Sequence, residues 1–333
     1  MTTSCSFTKP SCAAVGGNYM YQKKKALLIG GGGTLGRYTA KELLDKGCQV
    51  DILCLNEPNM SHPNLQIIQS RADYPYLEAF LAGKKYDGIV NFLHFEDIEV
   101  YKPLHKLLTD HTDQLIALSS YRVYNESEGP ITEQTPQLLH TSKDPEFLKN
   151  KTYYALVKSV LEDYIREESG TTNWTIVRPV ISFSERRLDL VTRSRQTVVA
   201  AAQAGKPFEL PLAAKDLIAG LDWSGNSGKL IANLLFQEQA LGQAYTISSA
   251  PGLTWAQVAE IYTDLLGVQI KWIGTQEYLD KYCDEPYGLI YDRLFDRPID
   301  NSKVLAATGL GKEDFTSIRD GIIIELRKLG IEV

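Results

Sequence analysis

The feature that most constrains the fold is an alternation of short apolar runs and amphipathic segments over residues 25–179. The apolar runs predict β-strands at 25–30, 49–55, 64–70, 86–93, 114–120 and 173–179. Segments with helical spacing lie between most of them, at 36–47, 74–83, 100–111 and 150–168. Because parallel strands need long crossover connections that usually contain a helix, this order predicts an α/β fold with a doubly wound parallel Rossmann sheet.

The alternation is lost after residue 180. The patterns there predict helices at 190–204, 227–238, 254–266 and 315–329, and strands at 243–248 and 268–273. The stretch 283–303 is rich in loop-forming and aromatic residues. We therefore expect a Rossmann domain over 23–180 and a smaller C-terminal α/β region, covering most of 181–333, that caps it.

Composition excludes several classes of protein. Residues 1–22 are rich in Ser, Thr and Gly without the apolar core of a secretory signal, and predict a flexible tail. No run reaches the roughly 18 apolar residues that a membrane span needs. A net charge of -6 gives no basic surface for nucleic acid. Five cysteines without a C-x-x-C pair predict free thiols in a reducing cytoplasm, with neither a disulfide framework nor a metal site.

A glycine loop joins the first strand to the first helix. Gly30, Gly33 and Gly36 form a G-x-x-G-x-x-G pattern there. Glycine is needed where the turn is tight, where backbone approaches a pyrophosphate and where helix packs closely on strand. The amides of Thr34 and Leu35, at the helix N-terminus, would hold the phosphates. An ordinary glycine-rich turn is the alternative, and the strand before and helix after favour phosphate binding.

The end of the second strand lacks the residue that normally distinguishes NAD from NADP. An acid there would bind the ribose hydroxyls and an arginine a 2′-phosphate, but the sequence reads Cys54, Leu55, Asn56. Asn56 is able to bind a ribose hydroxyl and Arg71 a phosphate, although both also suit an ordinary loop. NAD and NADP both stay open.

Tyr154 and Lys158 stand four residues apart, so both side chains would project from one helix face. This pattern suits an acid/base pair. Spacing alone does not decide, because the same pattern occurs at 19–23 and 21–25. The neighbouring Tyr153 would instead face Val157 and pack.

Four motifs follow one another in a meaningful order: the glycine loop, "SSYRVY" (119–124), Tyr154 with Lys158, and "VRP" (177–179). With this set the chain resembles the extended short-chain dehydrogenase/reductase family, of the NAD-dependent epimerase/dehydratase type. The resemblance covers residues 24–180 well and the C-terminal part loosely. It implies NAD or NADP as cofactor and a hydroxyl or keto carbon of a sugar, sugar nucleotide or similar small molecule as the reacting centre.

The resemblance also implies roles for individual residues. Ser120 would bind the substrate oxygen and Tyr154 would be the general acid/base. Lys158 would lower the pKa of that tyrosine and hold the nicotinamide ribose. Further cofactor contacts are implied for Leu93, His94 and Pro179. Epimerase and reductase are not separated. The resemblance makes a homodimer through a helix pair that includes the Tyr154 helix one option, and the oligomeric state stays open.

Some residues depart from the family pattern. Tyr121 and Arg122 stand where sugar dehydratases carry an acidic pair, which argues against elimination. Leu93 and His94 replace small residues, and His94 would either contact cofactor or substrate or pack against the strand ends. A non-catalytic dinucleotide-binding regulator or sensor on the same fold is therefore the alternative. The Tyr154–Lys158 pair argues against it, because binding alone needs no acid/base group.

Overall fold

The computed structural model describes residues 21–250 and 252–333. Its centre is a parallel sheet of seven strands, β1 (Lys25–Ile29), β2 (Gln49–Cys54), β3 (Leu65–Gln69), β4 (Gly88–Asn91), β5 (Leu115–Leu118), β6 (Trp174–Pro179) and β11 (Gln243–Ile247). The strand order is β3-β2-β1-β4-β5-β6-β11. Apolar clusters pack on the two faces of this sheet. The predicted doubly wound Rossmann sheet is confirmed.

Helices cover both faces of the sheet and build much of the C-terminal region. They are α1 (Thr34–Asp45), α2 (Tyr74–Leu81), α3 (Ile98–Asp110), α4 (Leu138–Thr141), α5 (Pro145–Leu148), α6 (Tyr154–Asp163), α7 (Arg195–Gln203), α8 (Ser224–Leu234), α9 (Trp255–Leu266), α10 (Thr275–Tyr282), α11 (Ser302–Thr308) and α12 (Ile318–Lys328). Local signals set several ends. Asp73 caps α2 by accepting a hydrogen bond from the Tyr76 amide at 3.1 Å. Gly47 follows α1 with φ 89°, a conformation that favours glycine.

The strand predicted at 243–248 belongs to the main sheet, where β11 pairs in parallel with β6. Helix α8 also returns to this domain and packs on α1 so closely that a Cβ at Gly228 would lie 2.6 Å from Cβ of Tyr38. Part of the 181–333 region therefore completes the Rossmann layer, a long-range pairing that local pattern does not reveal.

The rest of the C-terminal region forms small two-stranded sheets around a second apolar core. They pair β7 (Ile181–Phe183) with β10 (Leu221–Trp223), β8 (Phe208–Pro211) with β13 (Ile270–Ile273), and β9 (Ile218–Ala219) with β12 (Leu253–Thr254). Helices α10 and α11 were not predicted from the sequence. Both are short, and packing stabilises them through buried side chains such as Tyr278 and Val304.

The predicted tail lies outside the described residues except for Tyr21 and Gln22. Tyr21 is buried and packs edge-on against Phe236, with ring centroids 5.7 Å apart. The Rossmann core therefore begins slightly before residue 23. Within 21–250 and 252–333, no helix has the length and apolar character needed to cross a bilayer. The homodimer and the cytoplasmic location stay predictions.

A buried histidine makes the fold sensitive to acid. The ring nitrogens of His105, on α3, are hydrogen-bonded to the hydroxyls of Tyr101 and Thr171 at 3.1 and 3.0 Å. Burial lowers the pKa of His105 from 6.5 to about 4. The unfolded chain therefore binds the proton more tightly, so the stability contributed by the neutral ring is complete above pH 6.5 and is lost towards pH 4.

We expect the free energy of unfolding to fall by about 3 kcal/mol through this group alone as the pH drops across that interval. Denaturant titrations at several pH values, on wild type and His105→Gln, measure the effect. The difference between the two proteins should shrink as the solution is acidified. A difference that does not depend on pH would contradict the assignment.

Candidate active site

The glycine loop lies at the carboxyl end of β1, as predicted. Gly30 has φ 73°, and its amide donates to the Leu53 carbonyl at 2.8 Å. A Cβ at Gly36 would lie 2.4 Å from Cα of Gly31, so only glycine allows α1 to approach this turn. A Cβ at Gly33 would meet nothing closer than the Gly30 carbonyl oxygen at 3.6 Å, an ordinary van der Waals contact. The first-turn amides of α1 have no acceptor within the helix and are available to a phosphate.

Two cavities meet at this loop, and Gly30 and Gly33 line both. We call them the tyrosine cavity, of about 570 Å³, and the β2 cavity, of about 730 Å³. The first extends past the ends of β5 and β6 and the second past the ends of β2 and β4. Together they form an elongated cleft along the carboxyl ends of the strands, where open α/β sheets bind ligands.

The predicted site residues separate between the two cavities. The tyrosine cavity is lined by Thr34, Leu35, Gly36, Ser120, Tyr154 and Pro179. The β2 cavity is lined by Asn56, Arg71, Leu93 and His94. Lys158 lines neither, because it lies buried behind Tyr154 with 1% of its surface exposed. Every predicted site residue thus lies in or directly behind one cleft.

Tyr154 is the first residue of α6. The predicted helix began at residue 150, but Tyr153 is extended (φ -64°, ψ 127°), and the helix starts after it. This start leaves the Tyr154 ring half-buried at the mouth of the helix. Tyr153 is buried as expected. Besides packing, its hydroxyl accepts a hydrogen bond from Arg122 at 2.7 Å.

Lys158 lies one turn further along α6. Its Nζ donates to the carbonyl of Leu118, the last residue of β5, at 2.7 Å and lies 5.7 Å from the Tyr154 ring centroid. Burial lowers the pKa of Lys158 to about 8, against the opposing effect of the Glu162 carboxylate. The ammonium therefore remains mostly protonated at pH 7 and is able to donate hydrogen bonds.

Burial raises the pKa of Tyr154, and the Arg122 guanidinium is the largest charge that opposes this shift, followed in effect by a hydrogen bond with Ser120. Arg122 lines the tyrosine cavity with its Cζ 5.5 Å from the Tyr154 ring centroid. Sequence reasoning treated Arg122 only as a departure from the dehydratase pattern. Its place in "SSYRVY", two residues after Ser120, was the signal that could have found it.

His94 is brought against the candidate acid/base. Its ring centroid lies 5.0 Å from that of Tyr154 while the residue also lines the β2 cavity. Burial, and then the Lys158 charge, lower the pKa of His94 below 6.5, so the imidazole is neutral at pH 7. His94 therefore packs against Tyr154 and also lines the cleft, and its contact with cofactor or substrate stays a prediction.

A buried ion pair anchors α6 to the sheet. Arg178, in the "VRP" motif, donates from Nε to Oε1 of Glu162 at 2.8 Å, and its Nη2 contacts the second carboxylate oxygen. Its Nη1 donates to the Tyr124 hydroxyl at 2.8 Å. Breaking such a pair leaves an uncompensated buried charge, which is strongly destabilising. This arginine therefore holds the helix that carries Tyr154 and Lys158.

The segment 184–187, just after β7, is held over the glycine loop. Ser184 and Thr34 are joined by a hydroxyl–hydroxyl hydrogen bond of 3.1 Å, and Glu185 pairs with Arg37 of α1. Arg186 lines the β2 cavity and Arg187 the tyrosine cavity. Sequence reasoning missed this segment because nothing local links it to α1.

No protein-family model matches this sequence, and no curated protein matches it significantly. Solved structures do match. An epimerase, Mth375 from Methanothermobacter thermautotrophicus, aligns with TM-score 0.69 and 15% identity over 96% of this chain and 98% of that one. The UDP-glucose 4-epimerase of Thermus thermophilus, in complex with NAD, aligns with TM-score 0.64 and 16% identity over 93% of this chain and 100% of that one.

The UDP-glucuronic acid 4-epimerase of Bacillus cereus, in complex with UDP-glucuronic acid and NAD, aligns with TM-score 0.64 and 13% identity over 92% of this chain and 99% of that one. At these identities the likeness establishes the fold. This chain has the fold of the Rossmann-type epimerases. The resemblance read from the ordered motifs is thus confirmed for the architecture of nearly the whole chain.

Proposed function

We propose that this protein is an NAD(P)-dependent oxidoreductase or epimerase acting at a hydroxyl or keto carbon, with Tyr154 as general acid/base. One observation carries the proposal. Ser120 and Tyr154 line a single cavity that continues to the glycine loop, and Lys158 lies directly behind the tyrosine. A binding site for a dinucleotide alone would need only the loop.

Different residues would bind the cofactor and transfer the proton. The glycine loop and the first turn of α1 would hold the pyrophosphate. Lys158 would hold the ribose beside the nicotinamide, for which its Nζ, now buried and bonded to the Leu118 carbonyl, would have to turn towards the cleft. When bound, the nicotinamide supplies or accepts the hydride. Ser120 donates a hydrogen bond to the substrate oxygen, while the hydroxyl of Tyr154 gives up or takes the proton at that same oxygen. Arg122 and Lys158 favour the phenolate that proton removal requires.

Sugars, sugar nucleotides or similar small molecules are the proposed substrates. Two structural neighbours are epimerases of UDP-glucose and UDP-glucuronic acid, and both are complexes with NAD. At the adenosine end, the β2 cavity has Arg71 and Arg186 and lacks the acid that favours NAD at the end of β2. The proposal therefore includes both NAD and NADP.

Titration of the purified protein with NAD⁺, NADH, NADP⁺ and NADPH tests the proposal, followed by a turnover screen of UDP-sugars and small hydroxy and keto compounds. We expect one dinucleotide pair to bind well below millimolar concentration. Failure of all four to bind at millimolar concentration, in a preparation that releases no dinucleotide when it is denatured, would overturn the proposal. Tight binding with no turnover across the screen would favour the non-catalytic sensor instead.

The same preparation separates the two reaction types. An epimerase keeps its cofactor through the catalytic cycle, whereas a reductase exchanges it at each turnover. Dinucleotide released when the purified protein is denatured would therefore favour an epimerase, and its absence a reductase.

A further inference from the structure

The charged residues that line the tyrosine cavity are of one sign. Within the described part of the chain, they are Arg122 and Arg187, and no Asp, Glu or Lys joins them. A cavity lined by one sign of charge attracts ligands of the opposite sign. The effect of Arg122 on Tyr154 accounts for part of this charge, but the proposed hydride chemistry assigns no ligand to either guanidinium group.

Some hydrogen-bond donors of the Arg122 guanidinium have no partner within the described chain. Its Nη2 donates to the Tyr153 hydroxyl at 2.7 Å, and its Nε lies 3.1 Å from Oδ2 of Asp292 without forming a well-directed hydrogen bond. Among the residues that the structure describes, its Nη1 has no hydrogen-bond partner. The side chain is 20% exposed, so the guanidinium is held in place while one edge remains accessible.

The surrounding protein neutralises the charge of Arg122 only in part. Asp292 is 1% exposed and is shared, because it pairs with Arg293 as well as Arg122 and accepts a hydrogen bond from the Tyr121 hydroxyl at 2.5 Å. Buried Arg297 adds another cation 5.4 Å from the Tyr121 ring centroid, and two of its nitrogens lack partners in the described chain. Asp292 is thus shared between two guanidinium groups, and Arg297 has no carboxylate partner within the described chain.

Arg187 lines the same cavity. Its Nε donates to Asp189 at 3.0 Å, and its side chain is 47% exposed, which leaves its terminal nitrogens free to turn towards a ligand. Its charge acts on Tyr154 in the same direction as that of Arg122. Both arginines therefore line the tyrosine cavity and both act on the charge state of Tyr154.

We propose that the tyrosine cavity binds a substrate carrying an anionic group, a carboxylate or a phosphate, which Arg122 grips with its free guanidinium edge and Arg187 assists. The planar fork of arginine matches both anions in charge-assisted hydrogen bonds. Binding such a group completes the pairing that Asp292 alone leaves incomplete. This inference rests on the proposed function for the identity of the reacting carbon, but the anion site itself does not depend on turnover.

The test is a calorimetric titration of the intact protein with malonate, with inorganic phosphate and with glycerol as the uncharged control, each with and without a saturating dinucleotide. We expect at least one anion to bind while glycerol does not. We expect Arg122→Gln to weaken that binding about 10- to 100-fold and Arg122→Lys to weaken it less. Binding of malonate only indicates a carboxylate site, and binding of phosphate only indicates a phosphoryl site.

Arg319→Gln is the matched control, since it removes a guanidinium from an exposed pair with Asp264. It should bind the anions as wild type does. The proposal is overturned if neither anion binds, if Arg122→Gln binds them unchanged, or if saturating dinucleotide abolishes binding, which would place the anion at the pyrophosphate position. Thermal unfolding checks that each variant is folded. If Arg122→Gln does not fold, the affinity of Arg122→Lys is used for the test instead.

The dinucleotide titration fails or succeeds independently of these results. Anion binding without dinucleotide binding would remove the proposed function and leave the anion site. Dinucleotide binding without anion binding would remove the anion site and leave the proposed function.

Discussion

Replacement of Tyr154 by phenylalanine is expected to lower turnover about 10³-fold, because the variant keeps the ring but loses the hydroxyl that exchanges the proton. The ring contact with His94 and the burial of Lys158 do not need that hydroxyl, so dinucleotide affinity should change little. The measurement is the rate of product formation from a compound that turns over in the screen, followed by nicotinamide absorbance for a reductase and by separation of the two epimers for an epimerase. A dinucleotide titration of the variant accompanies it.

The adjacent tyrosine provides the control. The hydroxyl of Tyr153 accepts a hydrogen bond from Arg122 and donates one to the Tyr287 carbonyl at 3.1 Å, but the residue does not line the tyrosine cavity. Tyr153→Phe loses a hydrogen bond from the charged Arg122 guanidinium, so we expect a smaller loss than for Tyr154→Phe, about 10- to 100-fold. Equal losses in the two variants, or full activity in Tyr154→Phe, would show that the proton leaves by another route.

Two glycines of the loop are expected to behave oppositely when changed to alanine. Gly36→Ala places a methyl group 2.4 Å from the Gly31 backbone, so we expect the free energy of unfolding to fall by about 3 kcal/mol. Gly33→Ala projects its methyl group into the cleft with nothing nearer than 3.6 Å, and should cost less than about 1 kcal/mol. It should nevertheless weaken dinucleotide binding by about tenfold or more, because backbone must approach the pyrophosphate closely there.

Denaturant unfolding of both variants measures the free energy of unfolding, and calorimetric titration measures the dinucleotide affinity. A stable Gly36→Ala protein would mean that α1 can move away from the turn without cost. Unchanged dinucleotide affinity in Gly33→Ala would mean that the phosphates lie elsewhere in the cleft, even if the fold is the one described.

Much of the Rossmann half could be predicted without coordinates because its signals are local. Apolar runs of strand length, helical spacing between them, the glycine loop and the Asp73 cap each depend on neighbours a few residues away. The order of the motifs then selected Tyr154 and Lys158 from several matches of the same spacing. All predicted site residues lie in or directly behind one cleft, because the carboxyl ends of parallel strands share one edge of a sheet.

Local patterns failed where stability comes from distant packing. Helices α10 and α11 are too short for their own periodicity to define them, and β11 shows its place only by pairing with β6. The helix bearing Tyr154 begins four residues later than its pattern predicted, since the preceding residues form a turn that ends in extended Tyr153.

What the sequence alone determined is the fold class, the glycine loop and the identity of the candidate acid/base pair, since these rest on spacing within single elements or on their order. Only the tertiary structure decided what surrounds that pair. Arg122 and Asp292 are 170 residues apart in the chain, and Arg187 comes from a loop after β7, yet their charges meet beside Tyr154. Charges act through space rather than along the chain, so the electrostatic character of the site had to await the fold.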